Sequence, residues 1–168
     1  TVLSDNPTLD VRALQTPRQP HLVVVDSRLE TPPQARLFLP KRSVFIYTAS
    51  QDQARQSALQ AQGATVIHLP DAAGKVDLAA MLRDLVRLNI NELHVEAGHK
   101  LNGSLIRAAL VDEFLVYLAP KLLGAGAGMA DIGNLTALSE AVSMHFQSIE
   151  RIGADLRILA RIDARDQF

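Results

Sequence analysis

Short apolar runs alternate with polar, helix-forming stretches along the first half of the chain. His21 to Asp26 carries Leu22-Val23-Val24-Val25, bounded by Pro20 and by polar residues, the pattern of a buried strand. Ser43 to Thr48 repeats it, and Ala64 to Leu69 gives a third run after the turn residue Gly63. Between the second and third runs, Gln51 to Gln62 lacks strand alternation and is rich in good helix formers. This predicts an exposed helix and, with its flanking strands, a parallel crossover. Thr1 to Gln19 mixes Asp5-Asn6-Pro7 and Pro17 with few apolar residues and reads as extended chain and turns, its polar groups free for a ligand.

In the second half, Leu78, Met81, Leu82, Leu85 and Val86 recur at helical spacing behind Asp77, a natural N-cap, and the helix should end near Asn89 or Asn91. Glu92 to Glu96 predicts a strand, followed by Gly98-His99-Lys100 and a helix whose apolar face is Leu101, Leu105, Ile106 and Ala109. Glu113 to Leu118 predicts another strand, after which Ala119-Pro120 and the Gly124 to Gly128 run break regular structure. Met144 to Ile162 reads as two strands turning around Gly153-Ala154, with Leu156, Ile158, Ala160 and Ile162 on one face of the second. The expectation is an α/β fold of three layers, with a mostly parallel central sheet and an antiparallel C-terminal edge hairpin. No internal repeat or long linker divides the chain.

The 168 residues, 48% of them apolar, suffice for one domain with its own core. Seventeen basic and eighteen acidic residues leave a net charge of −1, which argues against electrostatic capture of nucleic acid or an anionic membrane. The absence of cysteine excludes a disulfide framework and thiolate metal sites, and is compatible with a reducing compartment. Apolar runs such as Leu22 to Val25 fall far short of the roughly 20 residues of a membrane span. Thr1-Val2-Leu3 is neither an initiator Met nor the start of a signal peptide, so the chain is expected to be cut from something longer.

The most informative stretch is Val95 to Ile106. A strand running into a glycine turn that opens a helix aims several free backbone N–H groups and the positive end of a helix dipole at one spot, an arrangement suited to a diphosphate. Gly98 would let a ligand approach the main chain, and Gly103 with Ser104 would allow close packing or one more hydrogen bond. The bland alternative is an ordinary strand-to-helix turn. No lysine precedes Ser104, so the segment is not a nucleoside-triphosphate loop. His94, Glu96 and His99 formally allow a zinc site of two histidines and a carboxylate, but surface histidines explain them more simply, and no metal is expected. A zinc deaminase centre needs cysteines that the chain lacks.

Glu96 ends its strand beside the glycine turn, where open α/β sheets place ligand-contacting groups; its plainer role is to cap the next helix. Asp5, Asn6, Asp10 and Arg12 form a second cluster, in which Arg12 could fork onto a phosphate and Asp5 could orient a hydroxyl or amine. An Asx turn and a solvated arginine are the simpler reading. Asp26-Ser27-Arg28, at the end of a buried strand, is a third candidate. The glycine run from 124 to 128 reads as a surface loop, and no nucleophile elbow or Ser/His/Asp spacing appears.

Four motifs in order, Thr1 to Pro7 with Leu9 and Val11-Arg12, Val24-Val25-Asp26-Ser27, Val95-Glu96-Ala97-Gly98, and Leu110 to Glu113 with Tyr117 to Gly124, carry a family resemblance. The chain resembles the reductase domain of the bacterial bifunctional riboflavin-biosynthesis deaminase/reductase. The resemblance implies a dihydrofolate-reductase-like fold and NADPH-dependent reduction of 5-amino-6-(5-phosphoribosylamino)uracil in the cytoplasm. It implies a single reductase domain over 1–168 that lacks its N-terminal strand and an upstream deaminase domain, and that forms a homodimer. Thr1, Asp5 and Ser27 match cofactor positions, and Gly98, His99, Lys100, Leu101, Asn102, Gly103 and Ser104 match the segment around the NADPH diphosphate. Leu9, Arg12 and Glu96 match positions that hold the ribose phosphate, and Asp5 or Glu96 is the expected group for any proton handling. His99 and Lys100 depart from the small or uncharged residues usual there. The rival expectations are a catalytically idle nucleotide-binding or dimerisation domain, and a reductase of the same superfold acting on a pterin or another pyrimidine.

Overall fold

The computed structural model describes residues 2–40 and 42–163, and divides the chain into two compact units, Thr1–Leu93 and His94–Phe168. In the first unit, β1 (Leu22–Val25), β2 (Val44–Thr48) and β3 (Ala64–His68) form a parallel sheet in the order β1-β2-β3. The register pairs Val24 with Ile46 and Ile46 with Val66. Because strand side chains alternate, β2 sends Val44 and Ile46 to one face and Phe45 and Tyr47 to the other. Leu59 of α2 (Gln53–Gln60) and Leu29, Ala35 and Leu37 of the β1–β2 connection cover the first face. Met81 and Leu85 of α3 (Leu78–Arg87) cover the second. Coverage on both faces is why these strands read as continuous apolar runs.

The helix starts are set by side chains. Asp52 accepts the N–H of Arg55 at 3.0 Å, which begins α2 at Gln53 rather than at Gln51. Asp77 accepts from Ala80 N–H at 2.8 Å, as its position predicts. The Tyr47 hydroxyl donates to Asp84 Oδ2 at 2.9 Å, and burial together with that carboxylate pushes its pKa up. The opening segment differs from the extended chain expected, since it contains one helical turn, α1 (Val2–Asp5). The turn ends at Asn6, which adopts φ 41° ahead of Pro7. Proline disfavours the right-handed helical region for the residue before it, and asparagine tolerates the left-handed one.

In the second unit, α4 (His99–Arg107) precedes β4 (Glu113–Leu118), β5 (Met144–Ile152) and β6 (Asp155–Ile162), which form an antiparallel sheet in the order β4-β6-β5. The β5–β6 hairpin turns at Gly153-Ala154 as expected, with Gly153 at φ 63°. Leu105 is the buried apolar side chain of α4, while Ala109 lies past the helix end at φ 52° and is exposed. Ala109 is therefore not part of the helix's apolar face. The α/β class stands, with the strands shared between a parallel and an antiparallel ladder. Glu92 to Glu96, expected as a strand, joins neither ladder among the described residues. An extended segment without a partner gains no ladder hydrogen bonds, and its alternate positions are polar here. No helix among the described residues is long and apolar enough to cross a membrane.

Candidate cofactor and substrate site

The residues that match family positions fall in both units, and each group is organised within its own. In the second unit, Gly98 is the N-cap of α4, with extended backbone (φ −77°, ψ 167°) and no side-chain cap. The first N–H groups of the helix, on His99, Lys100 and Leu101, thus have no intrahelical acceptor, and the helix dipole adds partial positive charge. A Cβ at Gly98 would meet nothing within 4 Å, so the approach to these donors is open. Lys100 is exposed beside them. Backbone donors, a dipole and a cation at one open turn fit the diphosphate of a dinucleotide.

The turn is fastened from behind. Asn102 Nδ2 donates to Ala97 O at 3.3 Å and to Met129 O at 3.0 Å, and Asp131 N–H donates to His99 O at 2.9 Å. Gly103 is buried, and a Cβ there would overlap the backbone carbonyl of Asp131, so this glycine serves a close main-chain approach. Arg107 donates through Nη1 to the same carbonyl and through Nη2 to Ser104 Oγ, while Ser104 Oγ donates to Lys100 O at 3.0 Å. Within the predicted segment, Gly98 to Leu101 therefore form the open face. Asn102, Gly103 and Ser104 engage their own chain. Glu96 does not cap α4; it lies 3.5 Å from His94 Nε2, both side chains exposed. No three His, Asp or Glu side chains gather as a metal site among the described residues.

In the first unit, Leu9 and Arg12 lie on one irregular loop. Leu9 adopts φ 50° and packs against the first core face. Thr8 Oγ1 donates to Asp10, which holds the Asp10 carboxyl below its usual range, with Arg12 and Arg42 adding to the effect. Arg12 Nη1 donates to Thr8 Oγ1 at 3.3 Å and Nε lies 3.7 Å from Asp10 Oδ1, yet the side chain is 74% exposed. The Gln19 carboxamide bonds both the N–H and the C=O of Val11, at 2.8 and 3.1 Å. Arg42, which the motif reading missed, donates to the carbonyls of Leu9, Thr8 and Leu37. In Pro40-Lys41-Arg42 it looks like a solvated turn charge, and no sequence signal points to its partners.

Asp5 is exposed at the end of α1, and Asn6 Oδ1 accepts the N–H of Arg36 at 2.9 Å in place of a local Asx turn. Ser27 Oγ accepts the N–H of Val76 at 3.1 Å, which leaves its hydroxyl hydrogen to donate elsewhere. Asp26 and Arg28 tie their own loop. Asp26 Oδ2 accepts from Thr31 N–H and Oγ1 at 2.7 and 2.6 Å, and Arg28 pairs with Glu30 at 2.9 Å. Thr1 lies outside the described residues.

The chain is an α/β domain with an uncapped helix start at Gly98 and an exposed guanidinium at Arg12. A family model described as the RibD C-terminal domain matches residues 1–158, and the chain belongs to that family. It is 33% identical to "Riboflavin biosynthesis protein RibD" of Haemophilus influenzae, over 94% of this chain and 44% of that protein. It is 28% identical to "5-amino-6-(5-phosphoribosylamino)uracil reductase" of Buchnera aphidicola, over 95% of this chain and 81% of that one. Among solved structures, Acinetobacter baumannii RibD (form 2) superposes with a TM-score of 0.80 at 21% identity, covering 96% of this chain and 44% of that one. That likeness shows the fold, which is the dihydrofolate-reductase-like one the resemblance implied. The chain spans less than half the length of the Haemophilus protein.

Proposed function

We propose that the chain reduces 5-amino-6-(5-phosphoribosylamino)uracil to its ribitylamino counterpart with NADPH. The observation that carries this reading is the uncapped start of α4, with Gly98 open in front of it and Lys100 beside it. The Buchnera relative, matched over 81% of its length, bears the name of that reductase. When bound, the cofactor would supply a hydride for the sugar C1′ of the ring-opened imine, whose nitrogen would take a proton. The chain's own residues bind, orient and handle that proton.

In this reading Gly98, His99, Lys100 and Leu101 hold the diphosphate directly, and Asn102, Gly103 and Ser104 hold the turn that does so. The family match assigns Thr1, Asp5 and Ser27 to the cofactor as well, the Ser27 hydroxyl as a donor. Leu9 and Arg12 hold the ribose phosphate and Glu96 a sugar hydroxyl. Asp5 or Glu96 handles the proton. The reductase works in the cytoplasm as a homodimer, with a deaminase domain of the same parent chain as its partner.

The test is loss of nicotinamide absorbance after the phosphoribosylaminouracil is added to protein and NADPH, with dihydropterin and NADH run in parallel. Oxidation of NADPH with the phosphoribosyl substrate alone supports the proposal. Fluorescence-detected binding without oxidation leaves an idle nucleotide-binding domain, and oxidation with the pterin alone assigns a different substrate. Asp5→Asn or Glu96→Gln should lower turnover about a hundredfold, the scale of one proton-transfer group. Both variants within a few-fold of the parent would remove the proton role from these residues.

A further inference from the structure

We infer that Arg42 is a positioning residue for the substrate phosphate, holding the main chain of Thr8 and Leu9 so that Arg12 is presented to it. The inference rests on the reading that Leu9 and Arg12 hold that phosphate. Arg42 Nη1 donates to Leu9 O at 2.7 Å, and Nη2 donates to Thr8 O at 2.6 Å and to Leu37 O. One guanidinium thus joins two successive carbonyls of the loop to a third carbonyl next to the core, across 33 and 34 residues of sequence. Leu37 is fully buried and Ala35 nearly so, which gives the anchor a rigid base.

The loop needs such an anchor. Leu9 is a non-glycine residue at φ 50°, a backbone state that persists only where the surroundings over-determine it. Three constraints do so: the Leu9 side chain packed on the core, the Gln19 carboxamide on Val11, and Arg42 on the carbonyls of Thr8 and Leu9. Of these, the Arg42 contacts act on the residues immediately preceding Asp10 to Arg12. The Thr8 hydroxyl in turn bonds Asp10 and Arg12. The planar fork is what the geometry uses. A lysine in its place could reach one of the carbonyls as a point donor but could not hold adjacent carbonyls in fixed relative orientation. The Arg42 Nε is buried without a partner among the described residues, so the guanidinium is committed to these carbonyls through its two terminal nitrogens.

The experiment measures kcat/KM of the whole chain with the phosphoribosyl substrate and with its dephosphorylated analogue, for Arg12→Ala, Arg42→Ala, Arg42→Lys and the double alanine variant. Arg42→Ala is expected to lower kcat/KM about tenfold through KM with the phosphorylated substrate, the loss of roughly one charge-assisted contact. It should leave the analogue and the KM for NADPH within about twofold. Arg42→Lys should recover part of the loss. The double variant should be no weaker than Arg12→Ala, because both act on one contact. An equal loss with both substrates, or additive losses in the double variant, overturns the inference and leaves Arg42 a general support of the fold. If Arg12→Ala shows phosphate-dependent loss and Arg42→Ala shows none, the positioning role alone is wrong. If Arg12→Ala has no phosphate-dependent effect, the phosphate reading and the positioning role both fall. If Arg42→Ala does not fold, the lysine variant decides by the same two substrates.

Discussion

The unit Thr1–Leu93 packs two apolar core clusters on its sheet, whereas His94–Phe168 buries few apolar side chains among its described residues and pairs β4, β6 and β5 through main-chain ladders. Of the buried apolar side chains among the described residues, all but Leu105 and Ala160 lie in the first unit. The second contributes exposed ones instead, among them Tyr117, Phe146, Ile149 and Ile152. Runs that look equally apolar in sequence thus end in different environments. The consequence is that each loop proposed to meet a ligand is secured by polar contacts, but on different foundations. In the first unit, Arg42 ties the Thr8–Leu9 backbone to a packed core. In the second, His99 and Asn102 in the first turn of α4 and Arg107 at its end are tied to the Met129–Asp131 main chain.

The contrast is sharpest where one atom group is removed from each unit. Ile46→Ala, at a fully buried position of β2, should cost about 3 kcal/mol, within the 2–5 typical of such truncations. Denaturant unfolding followed by circular dichroism measures it. A cost below about 1 kcal/mol would mean that the first unit does not depend on this core.

Gly103→Ala comes next. The added methyl must displace the Asp131 backbone, and overpacking of this kind costs about 1–3 kcal/mol. Because the displaced chain fastens the cofactor turn, NADPH affinity should fall about tenfold as well, equivalent to about 1.4 kcal/mol. Gly98→Ala has open space and an ordinary φ, so its stability should stay within about 1 kcal/mol of the parent. Equal stability losses at the two glycines would erase the distinction between the open and the fastened face of the turn.

A smaller effect is expected at Asp10. Its folded-state pKa is lowered chiefly by the Thr8 hydroxyl, so the carboxylate favours the folded state at neutral pH. That contribution fades as pH falls from the ordinary carboxylate value down through the lower folded one. Thr8→Ala should therefore move the Asp10 titration upward, toward the reference value of 3.8, as followed by NMR. No upward movement would assign the shift to the two arginines instead. The smallest effect is Phe146→Ala in β5, where 67% exposure should hold the change within about 0.5 kcal/mol. A loss comparable to Ile46→Ala would show that the second unit has an apolar core after all.

Legibility in sequence followed the range of the interactions. The runs that became β1, β2 and β3, the helix behind Asp77, the Gly153-Ala154 hairpin and the start of α4 at Gly98 are all specified by neighbours a few residues away. Glu92 to Glu96 has strand-like alternation, but pairing depends on a distant partner that alternation cannot supply. The site divides in the same way. Gly98 to Leu101 follow from a local strand-to-helix signal, and the close approach at Gly103 was readable as a packing glycine. That Asp131 is what approaches it was not, since 28 positions separate the two. Arg42 lay outside every motif because two of its three bonded carbonyls are 33 and 34 residues upstream. Asn6 was readable as a turn residue, but its bond to Arg36 N–H spans 30 positions.

Transfer of hydride from the nicotinamide to the sugar C1′ is the central claim. NADPH carrying deuterium at the transferable position, supplied once in each stereochemical form, can be incubated with the protein and the phosphoribosylaminouracil, and the product analysed by mass spectrometry and NMR. The account predicts one deuterium at C1′ of the ribityl chain with one of the two labelled forms and none with the other. A ribityl product without label from either form, or no reduction in the presence of bound NADPH, would contradict it.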